Sequence, residues 1–217
     1  MKNCQAIIFD LDGTLIDTLD DIAQSANQAL EKLDLPIFPV DDYRLKVGNG
    51  ARMLVSRCLD DDKQHLVDTV LKMHSDYYQD HCYDTTRPYP GICAMLSELK
   101  KDPLKLAVLS NKPEPFAQRL VHHFFGADLF NIIRGQLPDK PLKPDPAPAL
   151  AIADQLGLPP GRIAFIGDTA VDMQTARKAG MFAVGAAWGF RDRAELLQNG
   201  SHTLIDQPSQ LLPLLRN

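Results

Sequence analysis

Two aspartates spaced two residues apart follow an apolar run near the N-terminus. Asp10 and Asp12 come directly after residues 5–9, whose unbroken hydrophobicity is typical of a buried parallel strand. Alternate residues of an extended backbone point to the same side, so both carboxylates should meet at the carboxyl edge of a sheet, where ligands bind. Oxygen ligands without a nearby His or Cys favour magnesium, and Gly13 lets backbone N–H groups approach an anion. The alternative is a simple turn with helix-capping side chains.

Two more polar positions follow, one at a predicted strand end and one in a loop. Ser110 and Asn111 end the apolar run 104–109, and the serine hydroxyl could hydrogen-bond a phosphoryl oxygen. Lys143 lies in a proline-stiffened loop, where its ammonium could neutralise a phosphate or an aspartate nucleophile. Taken singly, these residues also fit a strand-ending turn and an exposed loop lysine.

A second pair of aspartates follows the apolar run 163–166. Asp168 should reach the same sheet edge, and Asp172 lies four residues later on the same side of the first helical turn. Asp168 could bind a metal directly while Asp172 orients a metal-bound water, although Asp168 and Thr169 could also be helix caps. Unrelated turns would not be expected to supply such a matched set of carboxylates, hydroxyl and ammonium at one edge.

Strands and helices alternate through most of the chain, which predicts a parallel α/β sheet. The predicted strands are 5–9, 104–109, 163–166 and 181–184, with a weaker one at 131–134. The predicted helices of this part are 116–125, 147–156, 171–179 and a short one at 211–215.

The segment 16–84 has helical periodicity instead, including predicted helices at 52–59 and 65–78. It is too long for one crossover between two strands. We therefore predict a core formed by residues 1–15 and 85–217, and an inserted helical domain at 16–84.

The amino-acid composition excludes some classes of binding partner. A hydrophobic share of 45% and a charged share of 24% suit a globular protein, and the net charge of −5 argues against nucleic acid or an anionic membrane as the main partner. The four cysteines form no C-x-x-C pair, which argues against zinc and favours reduced thiols. No apolar stretch is long enough to cross a membrane, and the N-terminus does not resemble a signal peptide, so we expect a cytoplasmic protein. We expect either a monomer or a homodimer.

Four motifs occur in a fixed order along the chain. They are Asp10-Leu-Asp-Gly-Thr14, Ser110-Asn111, Lys143 and Gly167-Asp-Thr-x-x-Asp172. This set resembles, over the whole chain, the four motifs of the haloacid dehalogenase-like hydrolase superfamily. The resemblance implies a Rossmann-like core with helices on both faces and a helical-bundle cap inserted between the first two motifs.

The resemblance also implies a chemistry. Asp10 would attack phosphorus and become an aspartyl phosphate, and Asp12 would protonate the leaving oxygen and then deprotonate the hydrolytic water. Mg²⁺ would be held by the Asp10 carboxylate, the Asp12 backbone carbonyl and the Asp168 carboxylate, with Asp172 behind them.

Further residues would hold the substrate. By the same resemblance, Ser110 and Lys143 would bind the phosphoryl oxygens, and Gly13, Thr14 and Asn111 would line the phosphate site.

The expected substrate is a small phosphomonoester. Asp12 argues against a dehalogenase, whose leaving halide needs no proton, and Thr14 stands where related mutases usually have valine. The stretches 47–55, 110–113 and 137–146 resemble bacterial phosphoglycolate phosphatases, which favours 2-phosphoglycolate.

Two basic residues could bind the substrate's carboxylate. Arg52, with the backbone N–H groups of 48–50, could receive it from the cap side, or could be a surface helix residue. Lys112 could also point into the cleft.

Other activities remain open from sequence. A related phosphatase could act on pyrophosphate, sugar phosphates or nucleoside monophosphates. A non-catalytic binding protein on the same scaffold is a different class, and the presence of both Asp10 and Asp12 argues against it.

Overall fold

A computed structural model describes residues 3–216 of the chain. Its main sheet has six parallel strands in the order β5-β4-β1-β6-β7-β8, and β2 and β3 form a separate antiparallel ribbon. The strands are β1 Ala6–Phe9, β2 Ile16–Asp17, β3 Arg87–Pro88, β4 Lys105–Pro113, β5 Ile132–Gln136, β6 Ile163–Gly167, β7 Phe182–Ala186 and β8 Thr203–Ile205.

Helices surround this sheet and fill the segment between β2 and β3. They are α1 Leu19–Glu31, α2 Tyr43–Lys46, α3 Ala51–Ser56, α4 Val67–His81, α5 Ile92–Leu99, α6 Glu114–Phe125, α7 Ala147–Leu156, α8 Ala170–Lys178, α9 Arg193–Gln198 and α10 Leu211–Arg216. None of the helices in the described part of the chain combines the length and the apolar character needed to cross a membrane.

Strand β1 is buried on both faces because two helical layers cover the sheet. Its alternate residues enter different cores: Ile7 and Phe9 pack in one, and Ala6 and Ile8 pack in the other. Helices α5 and α6 contribute to the first core, whereas α7, α8 and α9 contribute to the second. The parallel α/β sheet with helices on both faces is thus confirmed, including its weakest predicted strand, β5.

The register of β1 brings positions on three neighbouring strands to one level. Phe9 pairs with Val108 of β4 on one side and with Ile166 of β6 on the other. Polar residues that follow these positions therefore emerge side by side at the carboxyl edge of the sheet.

The helical segment leaves and returns to the sheet through the β2–β3 ribbon. At its base, the buried Asp21 carboxylate of α1 accepts hydrogen bonds from the backbone N–H groups and hydroxyls of Thr85 and Thr86. Helices α1 and α4 lie against each other in this segment. These hydrogen bonds fix the place where the chain returns from the helical segment to the sheet, just before the prolines and glycine near residue 90.

Several bounds differ from the predictions. Strand β4 continues past Ser110 to Pro113, with a register shift against β5, whereas we predicted that it ends at residue 109. The short elements α5, α9 and β8 were not predicted. Helix α3 is shorter than the predicted 52–59, and α4 starts at Val67 and runs on to His81.

Candidate active site

The loop after β1 passes tightly beneath the carboxyl edge of the sheet. Asp10 follows β1 directly and is 7% exposed. Gly13 has a φ of +86°, and a Cβ there would lie 2.3 Å from Oδ2 of Asp168. A glycine is therefore needed for this loop to lie against the residue that follows β6.

Asp168 is fully buried at the end of β6. Its carboxylate accepts hydrogen bonds from the Thr14 hydroxyl at 3.0 Å and from the Phe190 backbone N–H at 2.7 Å. Burial first, and the nearby Asp172 carboxylate second, raise the pKa of Asp168 to about 7. The hydrogen bonds and the charge of Arg191 lower the pKa, but they do not outweigh burial and Asp172.

Lys143 is a buried cation beside the Asp10 carboxylate. Its Nζ lies 2.8 Å from Oδ1 of Asp10 and 2.7 Å from Oδ1 of Asp172. Burial would lower the pKa of Lys143, but the two carboxylates raise it by more, so the ammonium is charged. Burial and Asp172 raise the pKa of Asp10, and Lys143 opposes them.

Asn111 fixes the backbone of Lys143. Its side-chain oxygen accepts from the Lys143 N–H and its amide donates to the Lys143 carbonyl, each at 2.9 Å. The same amide donates to the carbonyl of Gly48 in the helical segment. This residue therefore ties together β4, the lysine loop and the segment opposite.

Three carboxylates are close enough to share a cation. Asp10, Asp168 and Asp172 each offer an oxygen within 4.8 Å of the others. Both oxygens of Asp172 already have partners, because Oδ1 accepts from Lys143 and Oδ2 accepts from the N–H and hydroxyl of Thr169. Both oxygens of Asp168 likewise have partners, in Thr14 and Phe190. The oxygen donors fit a hard divalent cation, and Asp10, Asp168 and Asp172 are its candidate ligands.

Asp12 faces a different partner. Its carboxylate accepts from the Lys112 ammonium at 2.8 and 3.0 Å and from the Thr18 hydroxyl at 2.8 Å. Burial would lower the pKa of Lys112, but Asp12 raises it by more. The extension of β4 beyond Ser110 is what carries Lys112 to this position.

A cavity covers this edge of the sheet. On the sheet side it is lined by Asp10, Asp12, Ser110, Asn111, Lys112, Lys143 and Thr169. The helical segment contributes Ile22, Val47, Gly48, Gly50, Ala51, Leu54, His74, Ser75 and Tyr78, and Pro113, Phe116 and Phe190 complete the wall.

Not all predicted residues reach this cavity. Thr14 is buried beneath it and its hydroxyl is used by Asp168. The Arg52 side chain is 61% exposed and pairs with Asp68 outside the cavity, so the structure does not bring it to the site. Gly13 also lies beneath the cavity, against Asp168 rather than in the wall.

His74 and Tyr78 line the cavity but were not singled out from sequence. They lie four residues apart on α4, on its buried face. A helix of this kind normally buries such a stripe in the core, so nothing in the spacing marked it as part of a site.

The chain matches known proteins along its whole length. The family model described as Haloacid dehalogenase-like hydrolase matches residues 7–186. The Chromobacterium violaceum protein called phosphoglycolate phosphatase is 34% identical, over 100% of this chain and 99% of that protein. The Neisseria meningitidis phosphoglycolate phosphatase is 36% identical, over 92% and 87% of the two chains.

Solved structures agree with the fold. A crystal structure described as a predicted phosphoglycolate phosphatase from Haemophilus somnus 129pt superposes with a TM-score of 0.89 at 29% identity, and covers 99% of each chain. One from Lactobacillus delbrueckii, described as a putative phosphoglycolate phosphatase, has a TM-score of 0.90 at 31% identity, with 99% of each chain covered. The family match, the relatives and the shared fold lead to one conclusion: the chain belongs to the haloacid dehalogenase-like hydrolases.

Proposed function

We propose that this chain is a magnesium-dependent phosphatase that hydrolyses 2-phosphoglycolate through an aspartyl phosphate on Asp10. The observation that carries the proposal is the meeting of the Asp10 carboxylate with the Lys143 ammonium, beside Asp168, at the edge of the cavity. The relatives named phosphoglycolate phosphatase support the choice of substrate.

The cation is assigned to the acidic cluster. Mg²⁺ held by the Asp10 carboxylate, the Asp12 backbone carbonyl and the Asp168 carboxylate would cancel the repulsion between an anionic nucleophile and an anionic phosphate. The raised pKa of Asp168 supports this assignment, because a divalent cation would offset the burial and the neighbouring carboxylate that disfavour its charged form.

The first step uses Asp10 as nucleophile. A carboxylate oxygen of Asp10 bonds to phosphorus while the bond from phosphorus to the leaving oxygen breaks. Lys143, 2.8 Å from Asp10, is placed to contact a phosphoryl group carried on that carboxylate, and the Ser110 hydroxyl lines the same cavity.

We assign Asp12 as the group that transfers protons in both steps. It donates a proton to the leaving alkoxide, and in the second step it removes one from the water that attacks the aspartyl phosphate. The hydrogen bond from Thr18 holds this carboxylate beside the cavity independently of Lys112.

We assign the helical segment as a cap that closes over the cavity. We treat residues 16–84 as a cap and residues 1–15 and 85–217 as the core. The antiparallel β2–β3 ribbon is the connection between them. Ile22, His74 and Tyr78 line the same cavity as Asp10, so closure of this segment would exclude water from the reacting groups.

A substrate panel tests the proposal. Initial rates should be measured with Mg²⁺ on 2-phosphoglycolate, pyrophosphate, a hexose phosphate and a nucleoside monophosphate. We expect the highest kcat/KM for 2-phosphoglycolate and loss of activity in EDTA. A preference for the hexose phosphate would contradict the substrate, and no hydrolysis of any compound would favour the non-catalytic alternative.

The setting of the protein stays a prediction. All four cysteines are free thiols, as expected for a reducing compartment, but neither the cytoplasmic location nor the oligomeric state follows from this.

A further inference from the structure

Two buried polar groups in the cavity wall have no hydrogen-bond partner among the residues that the structure describes. Nδ1 of His74 and the hydroxyl of Tyr78 have no hydrogen-bond partner within 3.5 Å among residues 3–216. The Lys112 ammonium lies near enough to the Tyr78 hydroxyl, and the Ser25 backbone near enough to the His74 ring, to influence their pKa values without such a bond. The two residues are 5% and 3% exposed, and their rings stack with centroids 5.8 Å apart. Buried polar groups in folded proteins are normally hydrogen-bonded, so these two indicate a ligand that completes them.

A buried ammonium lies beside them. The Lys112 side chain is 5% exposed, and its Nζ lies 4.8 Å from the centre of the Tyr78 ring. On its other side it contacts Asp12, the residue assigned to the proton of the leaving oxygen. Lys112, Tyr78 and His74 are therefore on the side of the cavity where the leaving group must lie.

The rest of this corner is apolar and narrow. Ile22, Leu54 and Phe116 line it, and the edge of Phe116 packs against Tyr78 with ring centroids 5.3 Å apart. Such walls offer few partners to the many hydroxyls of a sugar. One ammonium with two further hydrogen-bonding groups instead suits a single short anion.

The Asp12 carboxylate can lose its ion pair with Lys112 and still be held in position. The Thr18 hydroxyl still bonds the Asp12 carboxylate when the ammonium turns to another anion. A substrate carboxylate one carbon from the leaving oxygen would thus take over the Lys112 contact while Asp12 turns to that oxygen.

We propose that His74, Tyr78 and Lys112 form a subsite for a carboxylate on the leaving group, which makes this site selective for phosphorylated 2-hydroxy acids. The inference rests on the proposed phosphatase function and adds the residues that bind the carboxylate of its substrate. Burial first, and Lys112 second, lower the pKa of His74 to about 4, so its ring is neutral and can donate one N–H.

The test compares two substrates that differ only in the carboxylate. Values of kcat/KM should be measured for 2-phosphoglycolate and for ethyl phosphate in the wild type and in Tyr78→Phe, with His74→Gln as a second variant. Tyr77→Phe is the matched control, because Tyr77 stacks on His81 and does not line the cavity.

We expect Tyr78→Phe to lower kcat/KM about tenfold for 2-phosphoglycolate, the effect of one hydrogen bond to a charged group, and less than about twofold for ethyl phosphate. Tyr77→Phe should change neither value. Equal losses on both substrates, or a loss in the control as large as in Tyr78→Phe, would overturn the subsite.

A binding measurement separates this inference from the proposed function. Should the wild type hydrolyse neither compound, the phosphatase proposal fails, and saturation-transfer NMR with glycolate then tests the subsite alone. Glycolate binding that is lost in Tyr78→Phe would support it, whereas no binding to the wild type, or equal binding to both proteins, would refute it.

Discussion

Replacing Asp168 with asparagine should make the metal-free protein more stable at pH 8. The carboxylate is fully buried and accepts from the Thr14 hydroxyl and the Phe190 N–H. An asparagine oxygen can keep the bond from Phe190, and its amide can donate to the Thr14 oxygen. The substitution therefore removes a buried charge and keeps both contacts.

The magnitude follows from the pKa of Asp168. A rise from 3.8 to about 7 corresponds to roughly 4 kcal/mol at about 1.36 kcal/mol per pH unit, and the coupling to Asp172 makes about 2–4 kcal/mol a reasonable range. Between about pH 4 and pH 7 the folded protein holds this proton and the unfolded chain does not. The free energy of unfolding of the wild type therefore falls as the pH rises through this window, and the advantage of Asp168→Asn grows with it.

Urea unfolding in EDTA at pH 4.5 and pH 8 measures this difference. We expect Asp168→Asn to be more stable than the wild type at pH 8, and only about 1 kcal/mol more stable at pH 4.5. Asp80→Asn, on the exposed face of α4, is the control for loss of one charge. Saturating Mg²⁺ should stabilise the wild type and not Asp168→Asn. The same stability difference between the two proteins at both pH values would contradict the raised pKa of Asp168.

Three other substitutions have defined outcomes. Lys143→Met removes the cation between buried carboxylates and should cost about 3–5 kcal/mol in urea unfolding at pH 8 and less at pH 5, where the acids can take up protons; an equal cost at both pH values would contradict this. Gly13→Ala places a Cβ 2.3 Å from an Asp168 oxygen, at a positive φ. It should lower the free energy of unfolding by more than about 2 kcal/mol and weaken Mg²⁺ binding measured by calorimetry. Wild-type values for both would argue against the tight loop. Asp21→Ala removes the carboxylate that pairs the buried N–H and hydroxyl of Thr86. It should cost about 2–4 kcal/mol in thermal unfolding, which an unchanged Tm would disprove.

The positions of the main motifs could be predicted because parallel strands end at one edge. Asp10 and Asp168 follow strands β1 and β6, which are direct neighbours in the sheet, so their meeting follows from the alternation of strands and helices. The role of Lys143 needed the resemblance as well, because a loop lysine alone carries no spatial information.

The leaving-group side of the cavity could not be predicted. Lys112 reaches Asp12 only because β4 runs on past Ser110, and propensity does not mark where a strand ends. His74 and Tyr78 have the spacing of any buried helix face. Conversely, Arg52 has the chemistry expected of a carboxylate ligand, but the orientation of α3 turns its side chain towards Asp68 and solvent.

Trapping the phosphorylated enzyme tests the nucleophile directly. The protein should be mixed with Mg²⁺ and 2-phosphoglycolate, quenched in acid within one turnover, digested, and analysed by mass spectrometry. We expect phosphate on the peptide that contains Asp10, at that residue. A folded Asp10→Asn variant should show neither this adduct nor turnover. Phosphate on another residue, or continued turnover by Asp10→Asn, would contradict it.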